Sequence, residues 1–106
     1  MNRETKLQNE IIAALCLNGC VARNHTVGLF YTMYGGKVRV GTEGESDIMG
    51  HRKSDGMAFY IEVKLPGEKP RPEQQRFLDA MVRAGAIAGC AHSTEEALEI
   101  VNGRQA

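Results

Sequence analysis

This sequence lacks an excess of charge of either sign, any long apolar run and any paired-cysteine spacing, and each shortage removes a class of protein. Thirteen basic and thirteen acidic residues give a formal net charge of zero, so binding to a polyanion has to come from a local basic patch. No apolar run approaches the roughly 20 residues of a membrane span, and the opening Met1-Asn2-Arg3-Glu4-Thr5-Lys6 leads into a helix pattern, not a signal peptide. The three cysteines, Cys16, Cys20 and Cys90, are odd in number and lack C-x-x-C spacing, which reads as reduced thiols inside a cell. A zinc site on Cys16, Cys20 and His25 falls short of the four ligands that structural zinc takes. No internal repeat or low-complexity tract is visible, and the 42% hydrophobic and 25% charged content of 106 residues suits one domain, residues 1–106, with one core.

What the sequence does hold is an alternating stretch, M-A-F-Y-I-E-V-K over Met57 to Lys64. Successive strand side chains face opposite sides of a sheet, so Phe59, Ile61 and Val63 point one way and Tyr60, Glu62 and Lys64 the other. A second strand, Asp47 to Lys53, precedes it through Ser54-Asp55-Gly56. Asp-Gly between two such runs reads as a two-residue turn, which pairs Ser54 with Met57 and sets Asp47 opposite Lys64, beside Glu62. A loop one residue longer or shorter would turn Asp47 to the other face. The expected cluster is two carboxylates and an ammonium. Asp47 and Glu62 form a hard, oxygen-rich pair suited to Mg²⁺ or Mn²⁺, which lowers the pKa of a water and offsets charge building on a phosphate. Lys64 is placed to orient that water or to stabilise the transition state. Glu-x-Lys alone more often marks a solvated, ion-paired strand face; the spaced Asp47 turns it into a candidate site.

From Glu4 to Asn18 the residues Leu7, Ile11, Ile12, Ala14 and Leu15 share one side of a helix that Gly19 ends. Glu4 lies in line with that stripe and Glu10 opposite it, so Glu4 is the acid aimed at the sheet; a first-turn Glu also suits the helix dipole with no site involved. Residues 20–25 read as a polar connection. Gly28 to Tyr34 and Lys37 to Val40 read as strands joined by Gly35-Gly36, with Lys37 and Arg39 facing outward, and Gly41 to Ser46 as a flexible loop in which Glu43 and Glu45 are solvated charges. Leu65 to Arg71 is a loop by its proline and glycine content. Pro72 then opens a helix that Gly85 stops. Gln74 heads its inward stripe of Phe77, Leu78, Met81 and Val82, placed to bond a water, the lysine or a phosphate, or to be a half-exposed amide near the helix end. Ala86 to Ala91 suits a buried strand, and Ser93 with Glu96 forms a capping box for a last helix ending at Asn102. His51 shares the Asp47 face, whereas His25 and His92 fall in loops.

These motifs in this order resemble the PD-(D/E)XK nucleases and, among them, the stand-alone virus-type replication-repair nuclease (VRR-NUC) domain. The resemblance spans about residues 3 to 89. It rests on Glu4 heading L-Q-N-E-I-I-A-A-L, S-D-I-M-G around Asp47, I-E-V-K at Ile61 to Lys64, and P-E-Q-Q-R-F-L with Gln74 ahead of M-V-R-A-G; Ser46 stands where the superfamily name has proline. It implies an α/β fold: a restriction-endonuclease-like αβββαβ core with a C-terminal helix and a mixed central sheet flanked by helices. It also implies Mg²⁺- or Mn²⁺-dependent hydrolysis of phosphodiester bonds. On that analogy Asp47, Glu62 and the Val63 carbonyl hold the metal, Glu4 completes or supports the site, Lys64 positions the attacking water, and Gln74 supports the lysine or a phosphate. The expected substrate is branched double-stranded DNA, four-way (Holliday) junctions foremost, cut by a homodimer, because a two-fold junction needs two cuts and a chain this small has room for one site. Flap, nicking or restriction-like cleavage on the same fold, and a DNA-binding module without turnover, are the alternatives. Arg23, Lys37, Arg39, Arg52, Lys53, Lys69, Arg71 and Arg76 are the pool for phosphate contacts. An intracellular, phage- or prophage-encoded protein fits the same resemblance.

Overall fold

The structure is a computed structural model that describes residues 1–25, 28–31, 33–40 and 44–103, with residues 28–31 and 38–40 considered as backbone alone. Helix α1 (Arg3–Leu17) is followed by strands β1 (Cys20–Asn24), β2 (Gly28–Tyr31), β3 (Lys37–Val40), β4 (Ile48–Arg52) and β5 (Ala58–Val63), then α2 (Pro72–Arg83), β6 (Ile87–Ala91) and α3 (Thr94–Gly103). Four strands form the main sheet in the order β1-β4-β5-β6, while β2 and β3 form a separate two-stranded ribbon. Among the described strands only the β5–β6 pair is parallel. Parallel neighbours cannot be joined by a tight turn, and α2 supplies the crossover. With the ribbon set aside, the order is αβββαβ plus a terminal helix, with a mixed sheet between helices, as expected from the motifs.

Alternation along the strands gives the sheet two unlike faces. On one, Cys20, Ile48, Phe59, Ile61, Val63, Ile87 and Ala91 pack with Ile11 and Leu15 of α1 and Ala97 and Val101 of α3. On the other, α2 lies over β5 and β6, and its Phe77 ring meets Tyr60 edge-on with centroids 5.5 Å apart. Val21, Arg23 and His51 lie on this second face and remain exposed. Local chemistry sets the helix ends. The Asn2 side chain accepts from the Thr5 N–H at 2.7 Å to open α1. Pro72 occupies the first turn of α2, and Gly85 after it adopts φ +100°. The Ser93 hydroxyl accepts from the Glu96 N–H at 3.0 Å to open α3. Among the described residues no helix is long and apolar enough to cross a membrane.

Residues 20–24, expected to be a polar connection, are the edge strand β1. Its register runs from Cys20 opposite Arg52 to Asn24 opposite Ile48. Only Cys20 is fully buried, with Val21 and Arg23 exposed, so the strand carries little hydrophobic contrast and backbone pairing defines it. That pairing is close: a Cβ on Gly50 would sit 1.9 Å from the Val21 carbonyl oxygen.

The β4–β5 hairpin turns through four residues, Lys53 to Gly56, and not two. A two-residue type I′ turn needs positive φ at both central positions; here Gly56 has φ +74°, and no described non-glycine residue has positive φ. Asp55 is used otherwise: its carboxylate accepts the Met57 N–H at 2.9 Å and pairs with the Arg52 guanidinium. The register therefore moves by two. Ile48 faces Ile61 at the end of the pairing, and continuing that register sets Asp47, just ahead of the strand, beside Glu62 instead of Lys64. A shift of two preserves the face, so Asp47, Glu62 and Lys64 still share a side.

In the ribbon, the last pair is Tyr31 with Lys37, so pairing stops short of the expected Tyr34 and the turn is wider than Gly35-Gly36 alone. The acidic-loop expectation for Gly41 to Ser46 is also corrected in part. Glu43 lies outside the described residues, but Gly44 and Ser46 are buried and Glu45 pairs with His25.

Candidate functional site

Alternation breaks at the end of β5, where Ile61, Glu62 and Val63 are all buried. Glu62 is only 1% exposed. Its Oε2 lies 3.8 Å from the Lys64 Nζ, an ion-pair separation too long for a hydrogen bond, and its Oε1 has no hydrogen-bond partner. A carboxylate buried this way is costly, and it responds by holding its proton. Burial, with the neighbouring Asp47 charge as the next cause, pushes the Glu62 carboxyl up to about 7, although the Lys64 ammonium acts in the opposite direction.

Asp47 lies immediately ahead of β4. Its Oδ2 accepts the Val63 N–H at 2.9 Å, which locks the carboxylate against the end of β5. The main chain is held from both sides: the Asp47 carbonyl accepts the His25 N–H at 2.8 Å, and the Lys64 N–H donates to the Ala91 carbonyl at 3.1 Å. Two carboxylates, one with an orphaned oxygen, thus sit beside a half-buried ammonium. A divalent cation resolves both tensions at once, since it gives Glu62 Oε1 a partner and cancels the repulsion between the acids. All the donors are hard oxygens, of the kind that such ions take. The residues present therefore fit a divalent cation.

Gln74 is buried, but its Oε1 accepts the Arg71 N–H at 2.8 Å and so closes the first turn of α2. Glu4 is half-buried in the first turn of α1. Among the described residues, no three His, Cys, Asp or Glu side chains gather into a metal-binding group, so Glu4 does not join Asp47 and Glu62, and Cys16, Cys20 and His25 do not assemble. Within the basic pool, Arg52 is committed to the fold: its guanidinium pairs with Asp55 and donates to the Val101 carbonyl at 3.0 Å. Arg71 pairs with Glu73 at 3.2 Å while staying mostly exposed. Arg23, Lys37, Lys53, Lys69 and Arg76 are exposed, and the Arg39 side chain lies outside those described. Opposite Met49 in the register, Arg23 lies on the Asp47 face.

Other residues near the site carry no signal in the sequence. Cys90 is the register partner of Glu62 across the parallel pair, and burial, with the Glu62 charge next, pushes its thiol up to about 11. His92 places Nε2 2.8 Å from the Glu68 carbonyl and Nδ1 2.7 Å from Glu96 Oε1. The Glu68 carbonyl first, and the Glu96 carboxylate second, raise its pKa, because both ring nitrogens face acceptors that the imidazolium satisfies together. This imidazole ties the loop after Lys64 to the start of α3. The parallel register brings Cys90 to Glu62, and tertiary packing brings His92 to Glu68; only the His92–Glu96 pair, four residues apart, has a local spacing.

No family model matches the chain, and no curated protein does. A solved structure described as a VRR_NUC domain is similar over the whole chain, with a TM-score of 0.71 at 18% identity, covering 99% of this chain and 100% of that one. At that identity the likeness is one of fold, and at that level it agrees with the resemblance carried by the motifs.

Proposed function

We propose that this chain is a divalent-metal-dependent DNA endonuclease of the VRR-NUC type that hydrolyses phosphodiester bonds in branched DNA, four-way junctions foremost, as a homodimer. The observation that carries the reading is Glu62: a carboxylate buried against Asp47, with one oxygen unpartnered, is unfavourable for an empty fold and favourable for a cation site. Asp47, Glu62 and the Val63 carbonyl are the groups that hold Mg²⁺ or Mn²⁺. Bound there, the cation supplies Lewis acidity beside the scissile phosphate.

The chain's own groups do the rest. Lys64, beside Glu62, orients the attacking water and donates to the phosphate oxygens as the water oxygen bonds to phosphorus and the bond to the leaving oxygen breaks. Gln74 acts as a positioning residue through the α2 start. Glu4 contributes as a charge outside the acid pair. Arg23, Lys37, Arg39, Lys53, Lys69, Arg71 and Arg76 hold the phosphate backbone without reading sequence. Two copies related by a two-fold axis would match the symmetry of a four-way junction.

The test is a cleavage assay on labelled junction, flap, nicked and linear DNA with Mg²⁺, Mn²⁺ or EDTA, run beside a measurement of mass in solution. Junction cleavage is expected with metal and none with EDTA. Lys64→Ala and Asp47→Asn should keep DNA affinity while cleaving at least about 100-fold more slowly, the scale of losing one transition-state donor. Full activity in either variant rejects the site. A second reading, a DNA-binding module without turnover, draws on the separation of Glu4 from the acid pair. Absence of Mn²⁺ binding in a titration would favour it.

A further inference from the structure

We propose that His92 is a positioning residue for Lys64: by bonding the Glu68 carbonyl and the Glu96 carboxylate together, its ring clamps the loop that leaves Lys64 onto the start of α3. This deepens the nuclease reading and rests on it for the effect on cleavage. Lys64 stands one position beyond the end of β5, and its N–H is fixed by the Ala91 carbonyl at 3.1 Å, immediately before His92. The next residue, Leu65, donates its N–H to Glu68 Oε1 at 2.9 Å, and its carbonyl accepts the Glu68 N–H at 3.0 Å. Glu68 thus closes a turn directly behind the lysine. His92 Nε2 reaches the Glu68 carbonyl at 2.8 Å, while Nδ1 and the His92 main-chain N–H both reach Glu96 Oε1, at 2.7 and 3.0 Å.

Burial does not hold this loop. Pro66, Gly67, Glu68 and Lys69 are all exposed, and cavities of about 310 and 390 Å³ adjoin His92, the first against Leu65 and Pro66 and the second against Gly67 and Lys69. A segment with no buried side chain and open space beside it is held by its polar bonds, and of those given above the bond through His92 joins the turn to a helix. Lys64 needs that support. Its stem is flexible, and its Nζ lies 3.8 Å from Glu62 Oε2, an ion pair too long for a hydrogen bond to fix the ammonium. A shift of the lysine main chain carries Nζ with it, and a misplacement of about 1 Å is enough to cost about 100-fold in rate.

The clamp suits an imidazolium. A carbonyl and a carboxylate face the two ring nitrogens, and only the doubly protonated ring donates to both. Around it stand Glu68 and Lys69 of the loop, Glu96 of α3, the Cys90 Sγ of β6 at 3.9 Å from Nε2, and Arg3, Lys6 and Glu10 of α1 across the first cavity. The Glu68 carbonyl first, then the Glu96 carboxylate, hold the ring's pKa above its ordinary 6.5. A neutral ring has one N–H and gives up one of the two bonds. The clamp is therefore closed below the raised value and loosens as pH climbs through it.

Two measurements on wild type, His92→Ala and His92→Gln test this: amide hydrogen exchange without metal or DNA at roughly pH 6, where the ring is charged, and cleavage of a labelled four-way junction with Mn²⁺. His92→Ala should speed exchange at Lys64 and Leu65 by about 10-fold or more while the amides of α1 and β4 stay as in wild type. Its kcat should drop about 10- to 100-fold, with KM within about twofold of wild type. His92→Gln keeps a donor for the Glu68 carbonyl and cannot titrate, so it should recover the protection and most of kcat. The ratio of wild-type to His92→Gln kcat should then fall between about pH 6 and pH 9 as the wild-type ring loses its proton. Unchanged exchange or unchanged kcat in His92→Ala overturns the proposal, as does exchange that rises equally in α1 and β4, or a ratio that is flat with pH. If exchange follows expectation but wild type cleaves nothing with Mn²⁺, the clamp on Lys64 stands and the nuclease reading falls. If wild type cleaves junctions and His92→Ala matches it in both measurements, the reverse holds.

Discussion

Glu62 sets folding against chemistry. Burial, with the Asp47 charge next, pushes its carboxyl from the ordinary 4.5 up to about 7. Between those values the folded chain keeps a proton that the unfolded chain has released. Stability therefore falls as pH rises through that window and levels off above it, by on the order of 3 kcal/mol. A cation bound to the acid pair favours the ionised form and so reverses the sign, which means stabilisation by Mn²⁺ should grow with pH over the same interval. Glu62→Gln should melt at a higher temperature than wild type at pH 8 without metal, lose most of the pH slope, and gain nothing from Mn²⁺. Thermal melts between pH 5 and 8, with and without Mn²⁺, read all three effects. At this scale the identities of Asp47, Glu62 and Lys64 as a set were legible in the sequence. The burial of Glu62 was not, because Glu-x-Lys on a strand looks the same whether a helix covers it or water does.

At the scale of the element, the β4–β5 hairpin determines where the acids meet, and Asp55 sets its loop. Asp-Gly suggested a two-residue turn, but the Asp55 carboxylate is drawn to the Met57 N–H and the Arg52 guanidinium, which lengthens the loop by two. Asp55→Ala should lower the urea midpoint slightly, since both partners are near solvent. Gly50→Ala should do far more damage. Its Cβ would meet the Val21 carbonyl at 1.9 Å and the Phe59 ring at 2.8 Å, so β1 has to move off β4. A cost of about 2–3 kcal/mol is expected from such overpacking, along with weaker Mn²⁺ binding, because the His25–Asp47 bond spans the same two strands. Denaturant unfolding and a metal titration on one preparation check both. The edge strand β1 escaped the sequence pattern for a related reason. Its side chains include only one fully buried residue, and backbone pairing leaves no mark on hydrophobic periodicity.

Across the whole molecule, zero net charge means that the proposed DNA affinity has to come from which bases share a face. Arg23, exposed on the Asp47 side of β1, is predicted to contact a phosphate. Arg23→Ala should weaken binding to junction and duplex alike and reduce the slope of log K against log salt by about 1. Binding curves between 50 and about 200 mM salt measure it; an unchanged slope would place Arg23 outside the interface. The αβββαβ order was readable ahead of the structure, although the first core strand proved to be β1 and the ribbon an insertion between β1 and β4.

By itself the sequence determined the features that depend on near neighbours along the chain: the helices with their caps and stops, the strand carrying Glu62 and Lys64, and the parity that puts two residues at i and i+2 on one face. Only the tertiary structure decided the quantities set by segments far apart in the chain. These include the register that brings Asp47 beside Glu62, the covering that strips water from Glu62 and raises its pKa, and the meeting of His92 with Glu68. Side-chain alternation is a local geometric property with a period of two, whereas burial and register arise from contacts between separate elements, which no single stretch of sequence contains.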